Sequence, residues 1–205
     1  MTLEAKAAFE QDARSRKIDI RGYHADNDRY AKNIFRDDCK QKSQKLRYYG
    51  VGTHHQNTGI AEAKIKQLTL SSRSMLLRAQ RHWPEYITTM LWPFALMTAG
   101  DHDNNLHVDG NGKSLDMKFS SDEGLPTKLK HFHTFGCPVY ILDARLQYSG
   151  GGGPLKWDSR ARLGIYLGHS PSHAGSVALV LNPRTSLVSP QYHVVIDDDF
   201  LTHVD

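Results

Sequence analysis

The sequence lacks the features that mark several common classes of protein. Its 205 residues include only two cysteines, Cys39 and Cys137, which are too few for a disulfide framework or a four-thiolate zinc site. No run approaches the roughly 18 apolar residues that a membrane span needs, and the first residues lack the basic-then-apolar layout of a secretory signal. We therefore expect a soluble protein of a reducing compartment that is neither secreted nor inserted in a membrane.

The basic residues are unevenly distributed, although the net charge is only +4. Between Cys39 and Pro84 the sole acid is Glu62, whereas Asp197–Asp199 make the other end of the chain acidic. Such a basic segment is either a solvated helix face or a surface on which lysine and arginine displace counterions from nucleic-acid phosphates. The basic residues of this segment are Lys40, Lys42, Lys45, Arg47, Lys64, Lys66, Arg73, Arg78 and Arg81.

The first hundred residues have the pattern of an α/β unit. Apolar residues recur there at helical spacing, and short alternating segments lie between the helical ones. The predicted helices cover 2–17, 29–44, 60–83 and 85–98, the last of them bent at Pro93, and the predicted strands cover 19–25 and 46–51. The apolar positions that define the first two helices are Leu3, Ala7, Phe9 and Ala13, then Tyr30, Ile34, Phe35 and Cys39; those of the long helix include Ile65, Leu68, Ser72, Met75, Leu76 and Ala79.

The composition changes after residue 99. Residues 100–130 are rich in Asp, Asn, Gly and Lys, which predicts a linker with little regular structure. Short strands follow, at 139–142, 161–167, 176–181 and 191–196, and this density of strands predicts a small β-barrel over residues 131–200. The domains predicted are therefore 1–99, the linker 100–130, and 131–200. Trp83, Trp92 and Trp157 are interpreted as core anchors.

Two carboxylates stand out by position. Asp26 lies where a predicted strand ends, and Glu62 lies in the first turn of the long helix. Carboxylate oxygens at one sheet edge suit Mg²⁺ or Mn²⁺, and paired ions can activate one oxygen while stabilising another. Acids at such positions are also ordinary caps or helix-dipole partners. His131 and His133 precede Cys137, but a fourth zinc ligand is lacking, so packing is the favoured role.

Several motifs together resemble the integrase core of copia-type retrotransposons and the small barrel that follows it. They are His24-Ala25-Asp26-Asn27, residues 54–62 (His-His-Gln-Asn-Thr-Gly-Ile-Ala-Glu), residues 81–84 (Arg-His-Trp-Pro), residues 91–95 (Leu-Trp-Pro-Phe-Ala), residues 133–140 (His-Thr-Phe-Gly-Cys-Pro-Val-Tyr) and residues 156–168 (Lys-Trp-Asp-Ser-Arg-Ala-Arg-Leu-Gly-Ile-Tyr-Leu-Gly). Asp26 and Glu62 have the spacing of the last two acids in that family's catalytic set.

The resemblance implies a fold, an activity and a set of site residues. The fold would be a truncated RNase H-like core followed by a Src-homology-3-like barrel, and the activity would be insertion of element DNA into a target duplex. Asp26 and Glu62 would be the catalytic ligands of Mg²⁺ or Mn²⁺. Duplex DNA would be the partner, with a second copy of the chain as a further one, in the nucleus or in a cytoplasmic particle. The residues implied to contact DNA are Gln56, Asn57, Lys64, Lys66 and Arg73.

The resemblance leaves enzymatic activity open. The family's first catalytic aspartate lies on a strand upstream of Asp26, and this chain begins at a predicted helix. We therefore expect the core to be truncated and the 205-residue chain to be catalytically silent by itself. The alternative is a decayed or domesticated fragment that only binds nucleic acid or another protein.

Overall fold

The computed structural model of the protein describes residues 2–25, 32–48, 59–120, 131–147 and 156–202. It is a mixed α/β structure, and the chain divides into two compact units. Unit 1 comprises residues 1–65 and 116–124, and unit 2 comprises residues 66–115 and 125–205. The predicted domains (1–99 and 131–200, with a linker at 100–130) stay a prediction. None of the described helices is long and apolar enough to cross a membrane.

Unit 1 is built around a pair of parallel strands. Its elements are α1 (Thr2–Ser15), β1 (Gly22–Ala25), α2 (Asn33–Gln41) and β2 (Lys45–Tyr48). The register pairs Gly22 with Lys45 and Ala25 with Tyr48, so α2 is the crossover that a parallel pair requires. The order helix–strand–helix–strand confirms the predicted elements, with α1 ending and β1 beginning two to three residues inside the predicted bounds.

The buried faces of the first two helices differ from the predicted ones. In α1 the buried side chains are Lys6, Glu10 and Ala13, whereas Phe9 is 45% exposed. In α2 Phe35 and Cys39 are buried as predicted, but Ile34 is 68% exposed. The helical period was therefore right, but the inward face of α1 is largely charged, because its ionic partners come from other parts of unit 1.

Unit 2 combines helices with a five-stranded antiparallel sheet. Its helices are most of α3 (Gly59–His82), a 3-10 helix (Thr89–Leu91) and α4 (Trp92–Leu106). Two short helices, α5 (Leu115–Ser120) and α6 (Ala144–Gln147), follow, and all of α5 except its first residue belongs to unit 1. The strands are β3 (Pro138–Leu142), β4 (Ala161–His169), β5 (Ala178–Asn182), β6 (Leu187–Gln191) and β7 (Val194–Ile196).

The sheet has the order β6-β5-β4-β3-β7. The first half of β4 pairs with β3 and its second half with β5, with a register shift between Tyr166 and His169. The two outer strands, β6 and β7, are consecutive in the chain and are separated only by Tyr192 and His193. Because so short a connection joins opposite edges, the sheet must be strongly coiled. The predicted strands are confirmed, and β6 is an addition to them.

Helices α3 and α4 pack on this sheet around one apolar core. The Trp83 indole Nε1 donates a 2.7 Å hydrogen bond to the Gly136 carbonyl, and the Thr98 hydroxyl donates one of 3.2 Å to the Leu167 carbonyl. These bonds tie both helices to the strands that they cover. The buried residues of this core are Ala79, Trp83, Ile87, Ala95, Phe135, Ile165, Leu167 and Leu181.

Three local predictions in this part of the chain are wrong. Pro93 does not bend a helix; it lies in the first turn of α4, where a missing N–H has no cost. Residues 100–120 are not devoid of regular structure, since α4 continues to Leu106 and α5 follows. Trp83 is a core anchor as predicted, but Trp92 and Trp157 are 56% and 89% exposed.

Candidate nucleic-acid interface

The C-terminal ends of β1 and β2 lie side by side at one edge of the two-stranded sheet. Ala25 and Tyr48, the last residues of the two strands, are paired in register. Asp26 follows β1 directly but lies outside the described residues, as do Gln56 and Asn57. Ligands of open α/β sheets bind at the carboxyl ends of strands, so this edge is where such a site is expected. The pairing of Asp26 with Glu62 stays a prediction.

Glu62 lies in the first turn of α3, and its side chain is exposed. The exposed carboxylate offers hard oxygen donors, the kind that Mg²⁺ and Mn²⁺ take in proteins. The first-turn position also favours a negative charge near the positive end of the helix dipole. The structure therefore supplies one accessible carboxylate of the predicted pair.

Helix α3 carries the predicted cations. Lys66 and Arg73 are exposed and are two helical turns apart, so they lie on one face of the helix. Lys64 is partly buried and is therefore less well placed for a phosphate than Lys66. Two long cationic side chains on one exposed face can each neutralise a phosphate of a nucleic-acid backbone.

Two exposed leucines lie on the same face of α3 and were not predicted as part of the site. Leu70 is 52% exposed and Leu77 is 48% exposed, and they alternate with Lys66 and Arg73 along the helix. The seven-residue spacing of these leucines is visible in the sequence. The apolar positions predicted for the long helix, however, lie on its opposite side. The exposed face of α3 is therefore both basic and apolar.

Near its C-terminal end α3 contacts the acidic segment of the chain. The Phe200 ring stacks on His82, with ring centroids 4.1 Å apart, and the Arg78 guanidinium lies 5.7 Å from the Phe200 ring centre. Thr202 donates from both its backbone N–H and its hydroxyl to the Asp197 carboxylate, which lowers the pKa of Asp197. Arg78 is thus engaged within the chain, unlike the solvent-facing Lys66 and Arg73.

No metal-binding cluster of three or more His, Cys, Asp or Glu side chains is found among the described residues. His133 Nδ1 instead lies 2.8 Å from Asp198 Oδ2, and the Thr134 N–H donates to Asp198 Oδ1. Burial, and then the charge of Asp198, raises the pKa of the Cys137 thiol, so this thiol stays protonated and unreactive. The arrangement is consistent with the packing role expected for His133.

Sequence analysis missed a buried ionic network in unit 1. Lys6 Nζ donates to Glu10 Oε1 (2.5 Å), Asp38 Oδ2 (2.6 Å) and Gln44 Oε1 (2.7 Å), and Lys42 Nζ is 3.0 Å from Glu10 Oε2. Burial by itself would raise the pKa of Glu10, but these donors outweigh it and hold that pKa well below its usual range. The sequence signal was the Lys6–Glu10 spacing of one helical turn, which is common on exposed helix faces.

Comparisons with solved structures show distant similarity. No family model matches the sequence, and no curated protein matches it significantly. A chain in the cryo-electron-microscopy structure of the simian T-cell lymphotropic virus intasome in complex with the PP2A regulatory subunit B56 gamma is 16% identical, with a TM-score of 0.41. That match covers 95% of this chain, which spans 63% of the other chain's length.

Proposed function

We propose that this protein is an integrase-related nucleic-acid-binding protein of the copia type, with an RNase H-like unit 1. The observation that carries the proposal is the order of elements around the carboxylates. The parallel strands β1 and β2 end at one edge, and α3 then presents Glu62 in its first turn. The motifs around Asp26 and Glu62 that resemble copia-type integrases occupy those same positions.

The five-stranded sheet supports the second half of the proposal, a Src-homology-3-like barrel. One long strand, β4, is shared between two antiparallel partners, and the outer strands β6 and β7 are joined by two residues. A sheet coiled in this way protects its edges as a small barrel does. The motif at residues 156–168 that resembles the family's barrel covers most of β4.

The roles proposed for the side chains follow from their exposure and charge. Lys66 and Arg73 bind phosphates of duplex DNA, with Lys64, Gln56 and Asn57 as additional contacts. Asp26 and Glu62 hold Mg²⁺ or Mn²⁺, which when bound supplies charge stabilisation and an activated oxygen for phosphodiester transfer. Nuclear or particle localisation and self-association belong to the same proposal.

Salt-dependent DNA binding tests the role of α3. In the double variant Lys66→Ala/Arg73→Ala, we expect the slope of log K against log salt to fall by about one unit for each phosphate that the protein no longer neutralises. The measurement is fluorescence anisotropy of a labelled duplex between 50 and 200 mM salt, a range in which counterion release dominates.

The matched control is Lys40→Ala/Arg184→Ala, which removes the same charge from two exposed positions outside α3. This control should change the slope by less than half as much, because the effect of general net charge is weaker than that of a direct contact. Equal effects of the two double variants would show that α3 is only a solvated face.

Metal binding separates the enzyme-like proposal from its alternative, a binding module without catalysis. Exposure of Leu70 and Leu77 between the cations favours the alternative, since apolar side chains suit a protein partner better than a phosphate. Titration with Mn²⁺, followed by electron paramagnetic resonance, should show binding that weakens about tenfold in Asp26→Asn and in Glu62→Gln but not in the exposed control Glu85→Gln. Binding that is absent, or equal in all three variants, would support the module instead.

A further inference from the structure

One face of the β1–β2 pair is covered by helices, and the opposite face is exposed. Tyr23 points to the covered face, where its ring packs edge-on against Phe35 at 5.7 Å and its hydroxyl donates to Glu10. Side chains alternate along strands, so Gly22 and His24 of β1 share the other face. Because the strands are parallel and in register, Lys45 and Arg47 of β2 lie beside them, and all four residues are exposed.

A groove of about 290 Å³ lies along this face. It is lined by Arg21, Gly22, Tyr23, His24, Lys45 and Arg47, so none of its lining residues is acidic. The two strands approach closely at Gly22, since a Cβ built there would lie 2.5 Å from the Lys45 carbonyl oxygen. We call this feature the β1–β2 groove.

Among the described residues, the acids on the covered side of the sheet are paired with other cations. Glu10, which accepts a hydrogen bond from Tyr23, and Asp38 are both engaged by Lys6 and Lys42. Within the described residues, no carboxylate lies within ion-pair distance of the groove's Arg and Lys side chains. The groove therefore attracts an anion from outside the chain.

We infer that the β1–β2 groove binds phosphate groups of a nucleic-acid backbone and forms a second contact surface besides α3. Arg21 and Arg47 have the planar donor fork that fits phosphate oxygens in pairs, and Lys45 adds a point charge between the strands. An extended backbone carries one charge per nucleotide, so it can supply several phosphates to one row of cations. The choice of nucleic acid over an acidic protein rests on the proposed function.

The test removes groove charge and compares it with charge removed elsewhere in unit 1. The groove variant is Lys45→Gln/Arg47→Gln, and the control is Arg36→Gln/Lys40→Gln on the exposed side of α2. With a labelled DNA duplex in the anisotropy assay, we expect the salt slope of the groove variant to fall by about two units, roughly 0.9 per phosphate, and that of the control by less than half as much. The charge-conserving variant Lys45→Arg/Arg47→Lys should keep the wild-type slope, which ties the effect to the charge of the groove.

A second measurement locates the contact. Addition of duplex DNA to the isotopically labelled full chain should shift the Gly22 amide resonance, whereas polyglutamate at equal charge concentration should leave it in place. Equal slopes for groove and control variants, or a Gly22 shift caused by polyglutamate and not by DNA, would overturn the inference. Its failure is distinct from failure of the proposed function, because Lys66→Ala/Arg73→Ala reports on α3 independently of the groove.

Discussion

At the scale of single residues, Lys6 connects α1 to two other segments of unit 1. The Lys6 side chain is 2% exposed. Its ammonium group contacts Glu10, Asp38 and the Gln44 side-chain amide and lies 5.0 Å from the Tyr23 ring centre. A buried charge is tolerated only when it is fully partnered. Removing one partner would leave the others buried without compensation, which costs more than the pair itself contributes.

The lowered pKa of Glu10 predicts a loss of stability in acid. Since its pKa is lower in the folded chain than its ordinary value of 4.5, the stabilisation is present above about pH 4.5 and is lost as the pH falls further. The pKa of Asp38 is also lowered, mainly by its hydrogen bond to Lys6, so Asp38 adds to the loss of stability in acid. Hydrogen exchange of α1 peptides can monitor the unfolding of unit 1 in urea. The midpoint urea concentration should fall as the pH is lowered from 5 to 3.

The variant Glu10→Gln should be less stable than the wild type at pH 7 and should lose stability less steeply between pH 5 and pH 3. The exposed carboxylate Glu85 supplies the control, since Glu85→Gln should leave both the midpoint and its pH dependence unchanged. A wild-type midpoint that does not vary over this range would contradict the role given to Glu10.

Two tryptophans should differ sharply in their contribution to stability. Trp83 is 5% exposed and donates to the Gly136 carbonyl, so Trp83→Ala should cost about 3 to 5 kcal/mol. Trp157 is 89% exposed, so Trp157→Ala should change stability by no more than about 0.5 kcal/mol. Denaturant unfolding followed by circular dichroism measures both, and similar losses in the two variants would contradict this placement of the rings.

At the scale of elements, α3 makes a close approach to the turn before β3. Gly136 has a φ of +84°, and a Cβ built on it would lie 2.4 Å from the Ala79 Cβ. The left-handed backbone and the close approach both require glycine there. Trp83, the residue that follows α3, fixes the same contact through its bond to the Gly136 carbonyl.

A series of three glycine variants separates these two requirements. Gly136→Ala combines backbone strain of about 1 to 2 kcal/mol with overpacking of about 1 to 3 kcal/mol. Gly112→Ala has the backbone strain alone, since φ is +74° and a Cβ built there meets no atom within 4 Å. Gly110→Ala has neither the strain nor the overpacking. Thermal unfolding should rank the losses in that order; a Gly136→Ala variant as stable as Gly110→Ala would contradict the packing described.

At the scale of the whole molecule, the two units have different resources for stability. Unit 2 has a five-stranded sheet with buried residues on both faces, including Ile165 and Leu167 on one and Val139 and Tyr166 on the other. The sheet of unit 1 has two strands among the described residues, one face is exposed, and much of the buried side consists of charged groups. Local stability follows the amount of buried apolar contact.

Native-state hydrogen exchange should therefore show lower protection in β1 and β2 than in β3, β4 and β5. The expected difference is a lower opening free energy for the amides of 22–25 and 45–48 than for those of 138–142, 161–169 and 178–182. Tryptophan fluorescence supplies an independent check on unit 2, because Trp83, Trp92 and Trp157 all belong to it. Equal, strong protection in both sets of peptides would contradict the proposed difference.

The sequence by itself determined the type and order of most elements and the identity of the candidate residues on α3. Periodicity and turn residues act within a segment, so the helices at α1, α2 and α3 and most strands were predictable. Lys66 and Arg73 were also predictable as an exposed pair, because their spacing places them on one helix face. Asp26, Gln56 and Asn57 stay sequence-based predictions, since they lie outside the described residues.

The tertiary structure alone decided which faces are buried and where charge is concentrated. The inward turn of Lys6 and Glu10, the exposure of Ile34 and Trp157, and the β1–β2 groove all depend on residues that are distant in the chain. The physical reason is that a charged side chain can be buried only when its partners are brought to it, and those partners come from other elements. Helical period fixes how side chains are spaced around an element, whereas tertiary contacts fix which side of it faces inward.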